Sequence, residues 1–293
     1  MSHSAFSRIT LIAVTGVSDA QSAASALTLS QRNMPGARAV LCCPHAPADL
    51  PASIRHEAIA PMSYIEYSWF MMFVLWHFVE TDYALVVQDD GWVLDGANWR
   101  DEYFEYDYIG APVHLARVHS PEGTRWVDNF SWLPLLNKPG HSVLPILNGG
   151  FSLRSRRMMQ TLFMHQHIQV VVIPPDGYLK NPFKPYWTAN PTNEDVQLTA
   201  LLRPQLEAVG IRFAPLDICA QFAMEDSGSL HADADLSRLF GHHGSWRRLV
   251  GIDPPTVRYM WPRSMIRFGL REMDFPKMLM QRGYRVEFPP EPT

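Results

Sequence analysis

Short apolar runs alternate with helix-spaced segments along the first third of the chain. Residues 9–16 (ITLIAVTG) are rich in β-branched side chains and end on a glycine, and residues 38–43 (RAVLCC) end at Pro44. Runs of this kind, with no polar face, predict strands covered on both sides. Between them, residues 19–31 are full of Ala, Ser and Leu, with Ser18 or Asp19 placed to cap a helix. A strand near 56–59 and a helix over 63–80 follow. Residues 83–88 (YALVVQ) then form another apolar strand, which runs directly into Asp89-Asp90-Gly91. Residues 67–79 hold 13 positions without a formal charge, bracketed by Glu66 and Glu80. A membrane crossing takes roughly 20 such residues, so the segment predicts a buried helix with Tyr67, Trp69, Phe70, Phe73 and Trp76 packed in the core.

Beyond Gly91 the pattern loosens. Residues 108–112 read as a strand, and 114–147 as a long, proline-rich irregular stretch. A turn at 148–150 precedes a helix over 155–165, a short strand at 170–173 and a proline-rich loop over 174–193. Glu194 opens a helix with Leu198, Leu202 and Leu206 four apart, which Pro204 is expected to kink. A mixed segment over 211–225 and an amphipathic helix near 273–282 complete the pattern, with no internal repeat. The expected fold class is α/β, a single-domain fold with a mostly parallel central sheet flanked by helices. Residues 1–250 would form the catalytic domain, and 251–293 a C-terminal wrap packed on it. Ligands in such sheets bind beyond the carboxyl ends of the strands, and Asp89 and Asp90 sit at one of those ends.

Composition narrows the function. The 293 residues carry 25 Lys plus Arg against 29 Asp plus Glu, a formal charge of -4 with no basic run. Nucleic acid is thereby excluded as a main partner. With 47% hydrophobic and 18% charged residues, the chain builds a sizeable core. Cys42, Cys43 and Cys219 make no disulfide framework, which fits a reducing cytoplasm. The apolar stretch at 9–14 is too short for a secretory signal and reads as the first strand.

Five groups of residues bear chemistry. Adjacent carboxylates at Asp89 and Asp90 would repel in a buried strand end unless a cation joined them; the plainer reading is a polar Asp-Gly turn. Asn148-Gly149-Gly150-Phe151 permits close approach of backbone to a ligand, or simply makes a tight turn. Glu194-Asp195 suits a helix first turn and equally a general base at a cleft edge. In Gly241-His242-His243-Gly244, one imidazole is a plausible ligand for an ion such as Mn²⁺, against a surface loop as the alternative. Arg154, Arg156 and Arg157 either contact a phosphorylated group or are solvated at a helix start.

Seven blocks in one order carry a resemblance: YSWFMMF, YALVVQDDGWVLD, EYDYIGAPV, NGGFSLRSRRM, NEDVQL, GIRFAPLDICAQFAMED and FGHHGSW, over about residues 64–246. Together they resemble a bacterial and fungal family of glycosyltransferase-like proteins that share a domain of unknown function. That family is related to A-fold nucleotide-sugar glycosyltransferases. Its Gln-x-Asp-Gly pattern falls on Gln88, Asp90 and Gly91, and its Phe-Gly-Phe-His-Gly pattern on His243, with His242 in place of an aromatic. The Asp-x-Asp element of A-fold enzymes stands here as Gln88-Asp89-Asp90, its first acid replaced.

The resemblance implies a GT-A-like fold and transfer of a sugar from a nucleoside-diphosphate donor to a hydroxyl of a glycan or small-molecule acceptor. Asp90 and His243 would hold Mn²⁺ or Mg²⁺ against the donor diphosphate. Val14, Thr15, Gly16 and Val17, with Gln88, Asp89, Asp90 and Gly91, would bind the donor. Asp195 would be the base of an inverting reaction, with Glu194 orienting, and Asn148, Gly149, Gly150 and Phe151 would line the sugar and acceptor pocket. A cytoplasmic protein, peripheral at the inner membrane face and serving cell-surface glycan assembly, is the implied setting. Two alternatives stand beside it: a carbohydrate- or nucleotide-sugar-binding protein without turnover, and a metal-dependent phosphohydrolase or nucleotidyltransferase.

Overall fold

The computed structural model describes residues 5–266 and 271–292. At its centre lies a seven-stranded sheet in the order β3-β2-β1-β4-β7-β5-β6. The strands are β1 (Ile9–Val14), β2 (Arg38–Cys43), β3 (Ile54–Ala58), β4 (Tyr83–Val86), β5 (Tyr108–Ser120), β6 (Gly123–Val127) and β7 (Ser142–Ser155). β1 and β4 are buried along their whole length, which is why they read as unbroken apolar runs. Helix α1 (Gln21–Asn33) connects β1 to β2 and starts without a side-chain cap; Asp19 instead accepts the Gln21 N–H at 3.0 Å.

The sheet corrects the expectation of a mostly parallel one. β3, β2, β1 and β4 run parallel, whereas β7, β5 and β6 join them antiparallel. The region expected to be irregular is in fact a long ribbon: β5 continues to Ser120, turns through β6, and returns as the 14-residue β7. Its prolines are accommodated where the ladder shifts register, around Pro112 and up to the Ala116–Pro145 pair, the positions at which a missing N–H costs least.

The helix expected over 63–80 changes its winding twice. It opens as α2 (Tyr64–Trp69), capped reciprocally by Ser63 and Glu66, then loosens through a π turn (Phe70–Val74) and tightens through a 3-10 turn (Leu75–Phe78). A constant 3.6-residue period therefore fails to predict its buried face. Phe70, Met71, Met72 and Leu75 face inward, but Trp69 and Phe73 are exposed. Helix α3 (Arg156–Met164) begins where Ser155 caps Met158 N–H. No strand forms at 170–173, and the expected loop after it holds an exposed hairpin, β8 (Gly177–Lys180) with β9 (Phe183–Tyr186). Glu194 opens the short α4 (Glu194–Val196), a π turn (Gln197–Leu201) follows, and α5 (Arg203–Ala208) restarts after Leu202. The break comes just before Pro204, whose ring cannot sit inside a continuous helix.

Helix α6 (Leu216–Phe222) leads into β10 (Ala223–Met224), which pairs in parallel with β11 (Gly241–His242). The remaining chain makes a small sheet of β12 (Arg247–Ile252), β13 (Pro255–Tyr259) and β14 (Arg285–Glu287), with α7 (Arg263–Ile266) and α8 (Asp274–Gln281). Leu249, Val257, Tyr259, Phe275 and Leu279 bury themselves with Ala26 and Leu29 of α1 and with Trp92 and Leu94. Parts of the spans 1–250 and 251–293 (residues 1–4, 267–270 and 293) lie outside the described residues. Among the described residues no helix is long and apolar enough to cross a membrane.

Candidate active site at the carboxyl ends of β1 and β4

Beyond β4 the backbone closes a tight turn in which Gln88 and Gly91 exchange hydrogen bonds, Gln88 N to Gly91 O at 2.8 Å and Gly91 N to Gln88 O at 3.0 Å. A Cβ on Gly91 would stand 2.8 Å from the His243 ring, so only glycine lets the turn approach it. The turn is clamped from the other side. Gly244 N donates to Asp90 O and Leu249 N to Asp89 O, each at 2.9 Å, and His243 N donates to Met224 O at 3.0 Å.

Asp90 and His243 consequently meet. Asp90 Oδ1 lies 3.1 Å from His243 Nε2, and its Oδ2 lies 3.2 Å from Arg248 Nη1. The same guanidinium stands 2.7 Å from Asp89 Oδ1. His243 Nδ1 is 2.9 Å from Glu225 Oε2, and Nε2 is 3.1 Å from Gln88 Oε1. Gln88 in turn donates to the Tyr67 hydroxyl at 2.7 Å. Burial alone would strip the proton from His243, but the charges of Glu225 and Asp90 overcome it and raise its pKa well above the ordinary value. Burial likewise opposes ionisation of Asp90, yet His243 and Arg248 hold its carboxyl below the usual range. Asp89 goes the other way, raised by burial and by Asp90. His242 points elsewhere. It is fully buried, edge-on to Trp92 with ring centres 4.1 Å apart, and burial followed by the Arg247 charge keeps it neutral.

A pocket of about 510 Å³ opens in front of this turn. The β1 loop Val14, Thr15, Gly16 and Val17 forms one wall, Gln88, Asp89 and Asp90 the opposite one, and Tyr64 and Arg248 the rim. The four loop residues and three turn residues expected at a donor site thus share one cavity. Gly91 is absent from its lining, behind the turn.

The glycine-rich segment behaves differently from expectation. Asn148, Gly149, Gly150 and Phe151 lie inside β7 and are buried. Asn148 Oδ1 accepts the N–H groups of Gly150 at 2.7 Å and Phe151 at 3.0 Å, while the Phe151 ring packs on Phe222 and Phe240. The Phe151 ring is thereby committed to the core. The two glycines do touch the site: a Cβ at Gly150 would fall 2.2 Å from Gln88 Oε1 and 2.5 Å from His243 Nε2, and one at Gly149 2.1 Å from Glu194 Oε1.

Glu194 is committed to Arg154 in a pair 3.1 Å long whose side chains are 6% and 1% exposed. Arg154 is therefore neither a phosphate contact nor a solvated residue, and Arg157 pairs with Asp107. Asp195, beside this pair, makes no ion pair among the described residues. Burial, then the charge of Glu194, pushes its carboxyl up to about 7, with Glu225 adding to the effect. The buried Asn193 Oδ1 next to it has no hydrogen-bond partner. Tyr64 ties these parts together, because burial and then the charges of Asp195, Glu194, Asp90 and Glu225 all raise its hydroxyl pKa. Of these four carboxylates, Asp90 lines the cavity together with Tyr64. Glu225, Arg248 and Tyr64 were not singled out from sequence, and Tyr67 was expected only as a core residue; Glu225 and Tyr67 lie within the recognised blocks, and Arg248 lies two residues past the last.

Among the described residues, no group of three or more His, Cys, Asp or Glu side chains is arranged to hold a metal. What the site presents is smaller: one carboxylate, one imidazole and one amide oxygen. Asp90 Oδ1 is buried without a hydrogen-bond partner, and it and Gln88 Oε1 each lie 3.1 Å from His243 Nε2. Glu225 on Nδ1 would orient the ring of a ligating histidine, as outer-shell carboxylates do. Such a partial set fits an ion that takes its remaining oxygens from a diphosphate and water.

A family model described as a protein of unknown function, DUF5672, matches residues 61–243. No curated protein matches the chain. Among solved structures, the galactosyltransferase LgtC in complex with donor and acceptor sugar analogs is similar at 12% identity, over 93% of this chain and 95% of that one, with a TM-score of 0.40.

Proposed function

The chain belongs to the DUF5672 family of proteins of unknown function, and we propose that it is a GT-A-like glycosyltransferase acting on a nucleoside-diphosphate sugar. The observation that carries this reading is the meeting of Asp90 with His243 and Arg248, where Asp90 and Arg248 line the pocket formed by the β1 loop. A cavity at strand carboxyl ends, with an acidic turn on one wall and Arg248 at its edge, suits a nucleotide whose diphosphate lies at that edge.

In the proposed reaction the acceptor oxygen attacks the anomeric carbon while the bond from that carbon to the diphosphate oxygen breaks. Asp195, with its carboxyl near neutrality, takes the acceptor proton. Negative charge grows on the leaving diphosphate, and Arg248 is placed to stabilise it. Asp90, His243 and Gln88 would hold Mn²⁺ or Mg²⁺, which when bound supplies Lewis-acid neutralisation of that charge. Glu194, locked to Arg154, acts through Asp195 by keeping its carboxyl poorly ionised.

The test is turnover of nucleoside-diphosphate sugars, with and without Mn²⁺, by the wild type and by Asp90→Ala. Release of nucleoside diphosphate by the wild type that disappears in the variant supports the reading. Release of monophosphate or pyrophosphate would replace it with phosphohydrolase or nucleotidyltransferase chemistry, and binding without turnover would reduce it to a binding protein.

A further inference from the structure

A second cavity, of about 470 Å³, lies on the far side of the same short segments, with His114, Phe130, Asp226, Trp246, Trp261 and Glu272 among its walls. Both cavities carry carboxylates: Asp19, Asp89 and Asp90 line the first beside Arg248, and Asp226 and Glu272 line this one, where no Lys or Arg is among the described lining residues. The two carboxylates here are already paired, Asp226 with His114 and Glu272 with the buried Arg247. Two indoles and fixed polar groups match a neutral polyhydroxylated ring, whose C–H face packs on an aromatic surface while its hydroxyls seek acceptors.

The walls are held rigidly. Asp226 Oδ2 accepts the His114 backbone N–H at 2.9 Å and lies 2.5 Å from its Nδ1, and Trp246 donates its indole N–H to Glu272 at 3.1 Å. Trp261 remains 51% exposed at the opening. Asn129 and Phe130 both sit at φ 55°, a left-handed conformation that non-glycine residues seldom adopt. Two such residues in a row at one cavity wall are backbone strain of the kind that accumulates at ligand sites. Phe130 is pinned there because Gly228 has no Cβ, which would lie 2.1 Å from the ring.

The two cavities share their partition. Glu225 bonds His243 on one side while its neighbour Asp226 lines the other cavity. Arg247 joins them, its Nη2 donating to the carbonyls of Glu225 at 3.1 Å and His243 at 2.6 Å.

We propose that this second cavity binds a neutral saccharide, stacked on Trp261 and Trp246 and hydrogen-bonded to Asp226 and Asn129, as the acceptor subsite of the cleft. Its role as acceptor rests on the transferase reading; saccharide binding does not. Saturation-transfer NMR with methyl β-galactopyranoside, methyl α-glucopyranoside, lactose and maltose at millimolar concentration tests it. At least one probe receives saturation, Trp261→Ala weakens it by about tenfold, and Trp261→Phe restores part of the loss. Asn129→Gly, which keeps the left-handed backbone, weakens it without requiring any change at Trp261. Uridine and guanosine diphosphate binding, measured on the same samples, is unchanged by all three substitutions. Silence from every probe, or a probe that binds all three variants as well as the wild type, overturns the proposal. Failure of both diphosphates to bind the wild type would strike the transferase reading and leave the saccharide result standing on its own signal.

Discussion

At the scale of single residues, the site depends as much on missing atoms as on charged ones. Gly150 lets Gln88 and His243 occupy the space a methyl group would need, 2.2 and 2.5 Å from their nearest atoms. Gly150→Ala must therefore displace one of them. Its expected result is loss of nucleoside-diphosphate binding by about tenfold or more, with a stability cost of about 1–3 kcal/mol for overpacking, read by calorimetry and urea denaturation. Asp195 makes a different prediction. A base works only when deprotonated, so wild-type transfer should rise with pH through about 7, where its carboxyl titrates. Asp195→Asn should lower the rate by about 10²–10⁴ with donor binding intact, and should flatten that limb of the profile. A pH limb unchanged in the variant would remove Asp195 from the base role. The acidic turn and the histidine pair stood out in the sequence because adjacent acids at a strand end and glycine-flanked histidines are unusual in themselves. Only the resemblance pointed to His243; the residues alone did not say which histidine faces Asp90. That is decided by Trp92, which draws His242 into the core.

At the scale of elements, β7 and α4 are joined by the buried Arg154–Glu194 pair, and this pair also sets the ionisation of Asp195. Glu194→Gln leaves the guanidinium of Arg154 buried without its counter-ion. The expected cost is about 3–5 kcal/mol, seen as a lower urea midpoint. The same change removes the negative charge that raises the Asp195 carboxyl, so any surviving pH limb should move to lower pH. Had Arg154 been solvated, as its position at a helix start first implied, the substitution would scarcely alter stability. The parallel half of the sheet could be read from sequence because β1, β2 and β4 are short, apolar and followed by clear breaks. The antiparallel half could not. β5 and β7 mix prolines, histidines and arginines, and their bulges interrupt the alternation by which a strand is recognised. The segment over 63–80 misled for a related reason, since its winding changes from α to π to 3-10 between Tyr64 and Phe78.

At the scale of the whole molecule, the C-terminal sheet is packed into the structure that carries the site. Arg247, fully buried, pairs with Glu272 at 3.0 Å and donates to the carbonyls of His243 and Glu225, so the last elements brace the histidine of the cleft. Little in the sequence signalled this, because a buried Arg–Glu pair 25 residues apart has no local pattern. The arrangement around it gives stability a pH dependence. His231, in the turn Ser229–His231, is completely buried, and burial lowers its pKa to about 4. In the unfolded chain it titrates near its ordinary value of 6.5. Between those two values the unfolded state binds more protons than the folded one, so stability must fall as pH falls. No cost arises above the unfolded value. The full cost, about 3 kcal/mol, is reached near the folded one. Urea midpoints taken at neutral pH and at successive steps down toward pH 4 should trace this loss in the wild type. In His231→Gln, which is polar but does not titrate in this range, the loss should be smaller by about the same amount. If the two curves instead run parallel, protons reach the imidazole without unfolding the protein, and the turn that buries it opens locally.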